Sequence, residues 1–294
     1  MQPLRSLLFV PGNRPDMLGK ARNLDADVLV PDLEDSVPAT EKGRARETVR
    51  EALPTLAQRG QLVVVRVNPL VTGLTWEELA TLVGPHLYGI SVGKVESPWE
   101  LQEYDRILTT LEGGAEVKLG QVKLIPWLES ARAVVRASEL ASASPRVVAV
   151  AFGAEDFTND MGIQRTDMGE EVSFPRALVA VAARATGVLA LDTPYVNFRD
   201  AEGLQRDIQA ALRLGYKGKF AIHPAQLEPI NTLFGPSPEE VEYARRVVQA
   251  FEEAEAQGRA AIALDGKMID IPVVKRARNL LTLAEAIAHR EEAP

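Results

Sequence analysis

The sequence contains no cysteine, which removes disulfides, thiolate zinc sites, iron–sulfur clusters and thiol nucleophiles together. Histidine is scarce, at three residues, and aromatic residues make up only 5%. Positive charge is in deficit: 33 Lys and Arg stand against 41 Asp and Glu, a net charge of −8. That balance argues against nucleic-acid and membrane partners, whose phosphates need a basic field. No apolar run approaches the roughly 20 residues that cross a bilayer. The stretch Ser6–Val10 is too short for a signal-peptide core and stops at Pro11-Gly12, so the cytoplasm is the expected compartment. What is present is ordinary globular composition, 46% apolar and 25% charged over 294 residues. A chain of this size buries a large core without covalent staples.

Short β-branched runs closed by turn or charged residues predict strands at 6–10, 27–33, 62–67, 88–93, 122–128, 147–153, 187–191 and 219–222. Helical patterns occupy 14–23, 39–58, 75–83, 98–112, 129–141, 173–186 and 200–214. Such alternation predicts a parallel sheet covered on its faces, and eight strands are the number that closes a (β/α)8 TIM barrel. A doubly wound open sheet is the competing arrangement. No strand end carries G-x-G-x-x-G, however, and no G-x-x-x-x-G-K-[ST] loop occurs. The expectation is an α/β protein with a catalytic barrel over residues 1–235. Gly235-Pro236-Ser237-Pro238 then opens a helical run to about Gln257, followed by a loop and a last amphipathic helix. Residues 236–294 therefore read as a helical extension.

Chemistry in a barrel sits at the C-terminal ends of the strands. Strand two ends in Asp32, Glu34 and Asp35; strand three holds Arg66 and ends at Asn68; strand four leads to Lys94 and Glu96. Strand five ends in Glu129, strand six in Glu155 and Asp156, strand seven in Asp192 and strand eight in His223. Carboxylates converging on one mouth repel unless they share a cation. Without Cys and with few His, a hard ion such as Mg2+ fits, taking one or two carboxylates plus substrate and water. Glu129 and Asp156 follow neighbouring apolar strands directly and are the candidate metal ligands. The bland alternative is that both are helix N-terminal acids. Arg66, among β-branched residues, needs a partner: an ion pair with Asp32 or Glu34, or a clamp on a substrate oxyanion or carboxylate. The Gly153-Ala154-Glu155-Asp156 turn offers backbone N–H groups to a carboxylate. His223 reads as structural, His86 and His289 as surface residues, and Trp76, Trp99 and Trp127 as packing under helices.

These motifs, read in order, resemble a known family. Arg5–Gly12 (RSLLFVPG), Pro31–Val37 (PDLEDSV), Val65–Asn68 (VRVN), Ile125-Pro126 with Leu128-Glu129, Phe152–Asp156 (FGAED) and Ala221–Pro224 (AIHP) are similar to the citrate lyase beta-subunit family. That family groups with malyl-CoA and citramalyl-CoA lyases and, more distantly, with class II aldolases of the HpcH/HpaI type. Gly266–Pro272 (GKMIDIP) resembles the C-terminal motif of stand-alone members. The resemblance implies a Mg2+-dependent carbon–carbon lyase that cleaves a 3-hydroxyacyl thioester to a keto acid and an acetyl thioester. It implies Glu129 and Asp156 as metal ligands and Arg66 at the reacting oxygens. Gly153, Ala154, Glu155 and Asp156 would bind the keto acid. Asp270 would be an acid/base supplied by a neighbouring subunit of a homo-oligomer, a trimer or hexamer, and the 236–294 extension would pack on that neighbour. Arg5, Asp35, Lys42 and Arg46 would line the thioester side. Two alternatives remain open at this point: an aldolase on free hydroxy-keto acids, and a complex subunit acting on an acyl-carrier-protein thioester.

Overall fold

The computed structural model describes residues 2–115, 117–166, 168–256 and 261–291. The chain divides into two compact units, one spanning Leu4–Ile230 and one containing Asn231 and the residues that follow.

The first unit alternates strand and helix. It begins with β1 (Ser6–Pro11), α1 (Pro15–Ala21), β2 (Val28–Asp32), α2 (Lys42–Leu56), β3 (Leu62–Val67), α3 (Thr75–Leu82), β4 (Gly89–Val92) and α4 (Pro98–Gly114). It continues with β5 (Lys123–Leu128), α5 (Ala131–Val135), α6 (Ala137–Ala141), β6 (Ala149–Phe152), α7 (Ala154–Met161) and α8 (Ser173–Thr186). β7 (Leu189–Asp192), α9 (Ala201–Leu214) and β8 (Gly218–Ala221) complete the cycle, and α10 (Leu227–Phe234) runs across the division between the units. Each strand pairs in parallel with the next, and β1 also pairs with β8, so the sheet closes into a barrel. The open-sheet alternative is excluded.

Strand alternation decides what lies inside. Leu7, Val28, Val30, Val64, Ile125, Trp127, Ala149, Ala151, Leu191 and Phe220 form one buried cluster. Side chains two residues further along each strand share the same face. The interior column therefore continues upward into Asp32, Arg66, Glu129, Gly153 and Thr193. Phe9, Trp127 and Phe220 stack beneath them, with ring centroids 4.4–5.9 Å apart. Asp192 has the opposite parity. It turns out toward the helices, where its fully buried carboxylate meets Arg176 of α8 at 2.8 Å and Lys219 at 2.6 Å. Its expected place at the mouth is corrected on that ground. The expectation that the tryptophans pack under helices is corrected: Trp127 is buried inside the barrel against Phe9 and Phe220, and Trp76 and Trp99 are half-exposed.

The second unit contains α11 (Pro238–Glu255), β9 (Ile262–Leu264), β10 (Lys267–Ile269) and α12 (Ile271–Glu291). Ser237 and Glu240 cap α11 reciprocally. Gln257, the expected end of this helix, lies outside the described residues, as do 292–294 of the extension. The segment expected as a loop is an antiparallel hairpin turned by Asp265 and Gly266, both with positive φ. Ile269 packs with Val247, Phe251 and Val274 in this unit's own core.

Candidate active site

Asp32 and Arg66 organise one side of the barrel mouth. Arg66 Nε and Nη2 donate to Asp32 Oδ1 and Oδ2 at 2.7 and 2.6 Å. Its Nη1 lies 3.4 Å from Glu34 and 3.3 Å from Asp35. The guanidinium rests 4.7 Å above the Phe9 ring. Backbone N–H groups of Glu34 and Ser36 also donate to the Asp32 carboxylate. Burial opposes charge on Asp32, but the Arg66 bonds outweigh it and hold its carboxyl below the usual range. Glu34 goes the other way: burial raises it, with Asp35's charge, against the pull of Arg66 and Lys94.

Glu129 occupies the other side. Its side chain passes between two glycine backbones, Gly93 after β4 and Gly153 after β6. A Cβ on Gly153 would stand 2.6 Å from Glu129 Oε2, and one on Gly93 would stand 3.1 Å from Oε1. Glycine at 153 is what admits the Glu129 side chain, while a Cβ on Gly93 would crowd the Glu34 and Glu129 carboxylates alike, at 3.0 and 3.1 Å. Oε1 accepts the Lys94 backbone N–H at 2.5 Å. Burial, then the charge of Asp156, push the Glu129 carboxyl up to about 8, beyond what the Lys94 N–H and Arg66 offset. A carboxyl raised by its own burial and by the charge of a neighbouring acid marks a site suited to a hard cation. Among the described residues no group of three or more His, Cys, Asp or Glu is arranged around a common point. Glu129 and Asp156 together would offer two carboxylates, a donor set that suits Mg2+ with substrate and water completing its shell.

Asp156 stands in the first turn of α7, whose N-cap is Gly153. The Ala154 N–H is already donated to Thr193 Oγ1 at 3.2 Å. The N–H groups of Glu155 and Asp156 remain as the first-turn donors without an intrahelical acceptor. The Glu155 side chain is exposed and lies 3.4 Å from Arg165, so it is the backbone of this residue that faces the turn.

Other expected site residues fall elsewhere. Arg5 precedes β1, at the N-terminal end of the barrel, where its backbone and guanidinium bond Asp27 at 2.7–3.0 Å. It cannot line the mouth, and that expectation is corrected. Lys42 donates to the carbonyls of Leu33 and Glu34 and fixes the loop after β2. Arg46 pairs with Glu77 of α3. Asp35 is exposed beside Arg66 and Lys94. Asp270 belongs to the second unit, where its Oδ1 accepts the Val273 N–H at the start of α12. His223 bonds the Ala225 N–H and stacks on Phe198, a structural role, while His86 and His289 are exposed. Beside the mouth, Glu34, Asp35, Val37, Lys42, Asn68, Pro69, Val71, Thr72 and Lys94 line an open cleft of about 350 Å³. Sequence reasoning assigned no role to Lys94, Thr193 or Gly93, although strand parity marks the last two as interior.

The profile of the family described as HpcH/HpaI aldolase/citrate lyase matches residues 5–224. The chain belongs to this family. It is 38% identical over 282 residues to citrate lyase subunit beta of Leuconostoc mesenteroides, covering 96% of this chain and 93% of that one. Human mitochondrial citramalyl-CoA lyase is 34% identical, with 98% and 87% covered. Among solved structures, Mycobacterium tuberculosis CitE in complex with magnesium, acetoacetate and coenzyme A superposes with a TM-score of 0.75 at 31% identity, covering 97% and 98%. Among the described residues no helix is long and apolar enough to cross a membrane.

Proposed function

We propose that this protein is a Mg2+-dependent carbon–carbon lyase. It cleaves a malyl-, citramalyl- or citryl-type 3-hydroxyacyl thioester into glyoxylate, pyruvate or oxaloacetate and an acetyl thioester. The observation that carries the reading is Glu129, threaded between Gly93 and Gly153 and electrostatically coupled to Asp156, opposite an Arg66 held on Phe9. The relatives support it by what they act on, citramalyl-CoA in the human enzyme, and by the magnesium and coenzyme A bound to the mycobacterial protein.

Glu129 and Asp156 would hold Mg2+, which supplies Lewis-acid polarisation of the hydroxyl oxygen and an anchor for the adjacent carboxylate. The N–H groups of Glu155 and Asp156 orient that carboxylate at the α7 N-terminus. As the C2–C3 bond breaks, the hydroxyl proton passes to solvent water, its oxygen becomes the carbonyl of the released oxo acid, and the bonding pair moves to the thioester enolate. Arg66, aimed by Asp32, offsets charge on the reacting oxygens, an effect typically worth about 3 kcal/mol. Asp270 of the partner subunit delivers the proton that converts the enolate carbon to a methyl group. The protein then works as a homo-oligomer, a trimer or hexamer, in the cytoplasm. Asp35, Lys42 and the cleft they line are the better-supported thioester side, whereas Arg46 is paired with Glu77 and does not line that cleft.

The test is a panel of CoA thioesters, acyl-carrier-protein thioesters and free hydroxy acids with Mg2+, followed by keto-acid release. Release from malyl-, citramalyl- or citryl-CoA supports the reading. Release from free acids alone overturns it in favour of the aldolase, and release from the carrier-protein thioester alone favours a citrate lyase complex subunit.

A further inference from the structure

Lys94 is the only non-glycine residue of the barrel unit, among those described, in the left-handed region, with φ of 57°. Its counterpart Asp265 lies in an Asp-Gly hairpin turn, where that conformation is ordinary. Lys94 has no such turn. A long side chain held there marks backbone that the surroundings over-determine, a condition that clusters at functional sites.

The conformation joins two contacts that an extended residue would separate. Immediately after Gly93, the backbone turns so that the Lys94 N–H meets Glu129 Oε1 at 2.5 Å. From the same residue the ammonium crosses the mouth to Glu34 Oε1 at 3.0 Å and Asp35 Oδ1 at 3.1 Å. Those two carboxylates also crowd Arg66, at 3.4 and 3.3 Å. One residue thus fixes the buried carboxylate on one side and, on the other, draws two acids that would otherwise fall to Arg66.

We propose that Lys94 is a positioning residue with two separable parts. Its left-handed backbone aims the Glu129 carboxylate at the cation site, and its ammonium keeps Arg66 available to an anionic substrate by sharing Glu34 and Asp35. This rests on the proposed function, because it takes Glu129 as a metal ligand.

Substitution separates the parts. Lys94→Gly retains the backbone conformation and loses the ammonium, whereas Lys94→Val loses both. Binding of Mn2+ alone, read by electron paramagnetic resonance, reports the backbone part. Binding of pyruvate to the Mn2+-loaded protein, read by calorimetry, reports the ammonium. Lys94→Gly should bind Mn2+ at least as tightly as the unaltered chain, while Lys94→Val binds it about tenfold more weakly than Lys94→Gly. Pyruvate should bind Lys94→Gly about tenfold more weakly than the unaltered chain. Thermal unfolding monitors folding, and Lys94→Ala takes the place of the valine variant if that one does not fold. Equal Mn2+ affinity in the glycine and valine or alanine variants overturns the backbone part, and unchanged pyruvate affinity overturns the ammonium part. Glu129→Gln is the control: if it binds Mn2+ as the unaltered chain does, the metal reading itself falls, and this proposal with it.

Discussion

Asp32 and Arg66 are register partners on β2 and β3, and their side chains meet inside the barrel through two parallel hydrogen bonds. The arrangement is a carboxylate–guanidinium fork in which the carboxylate is nearly fully buried and the guanidinium only partly so. The carboxylate also accepts two backbone N–H groups. Asp32 is thereby a fixed anchor, and Arg66 is the member of the pair whose remaining edge faces the mouth.

Asp32→Asn keeps the shape of the anchor and removes its charge. Arg66 is then left to Glu34 and Asp35, which lie further up the mouth. Removing one partner of a buried pair costs about 3–5 kcal/mol, and the partial exposure of Arg66 puts the expectation near 3. Denaturant unfolding should show that loss. Turnover of the thioester should fall about a hundredfold as the guanidinium leaves the reacting oxygens. Unchanged turnover in a folded Asp32→Asn protein would remove Arg66's aim from the mechanism.

Gly153→Ala tests the cradle. The added methyl carbon would meet both Glu129 Oε2 and Glu129 Cβ below 3.0 Å. Either the glutamate or the β6–α7 turn must move, at about 1–3 kcal/mol of overpacking. Both carry the metal reading, so Mg2+ affinity measured by calorimetry should drop more than tenfold while the barrel still folds.

The elements legible in the sequence are those whose residues depend on one influence. Val63, Val64 and Val65 make a strand in any barrel, and Arg66 among them announces a paired charge. Asp192 was misplaced because a strand-end position says nothing about which way the side chain turns. Parity with Leu191, an interior residue, would have sent it outward to Arg176 and Lys219. Helix α7 is missing from the predicted helical segments because Asp156, Thr158, Asn159 and Asp160 are weak helix formers; only the alternative that makes Asp156 a helix N-terminal acid points to it, and Asp156 does stand in the first turn. The β9–β10 hairpin did carry a signal, Asp265-Gly266 between alternating apolar residues, which the reading of that segment as a loop passed over. Glu129 stands out in the sequence because it directly follows an apolar run, and Asp156 because it comes just beyond the next one, after Glu155. Lys94 was not assigned, since no propensity scale reports a left-handed lysine.

Acid stability should depend on a second ion cluster remote from the mouth. Arg146 bonds both oxygens of the buried Glu112 at 2.7 and 2.9 Å and meets Asp105 as well. Burial would raise the Glu112 carboxyl, but Arg146 and the N–H groups of Val122 and Gly120 outweigh it and hold it below its usual value. A carboxyl more acidic in the fold than in the unfolded chain contributes fully above its unfolded value. The contribution is lost as pH falls through the folded one. Stability should therefore decline below roughly pH 4. Glu112→Gln should be less stable at neutral pH and show a flatter acid limb in urea midpoints measured from pH 7 to pH 3. An acid limb as steep as that of the unaltered chain would place the responsible carboxylates elsewhere.

Asp270 has a structural duty and a proposed chemical one, and a pair of substitutions separates them. Its Oδ1 accepts the Val273 N–H at the start of α12, as an N-cap does. Asn is as good an N-cap as Asp, so Asp270→Asn should leave the helix and the thermal midpoint nearly unchanged. Asp270→Ala should lower stability by about 1 kcal/mol. Neither substitute can donate a proton as a carboxylic acid does, and both should lose about 10²- to 10⁴-fold in turnover. Keto-acid binding, which rests on the α7 turn and the Glu129–Asp156 pair, should be retained in both. Exchange of pyruvate's methyl protons plays no part in this step, so the decisive readout is deuterium wash-in to the methyl group of the acetyl thioester. That exchange should vanish in Asp270→Asn, and its persistence at the unaltered rate would return Asp270 to a helix cap alone.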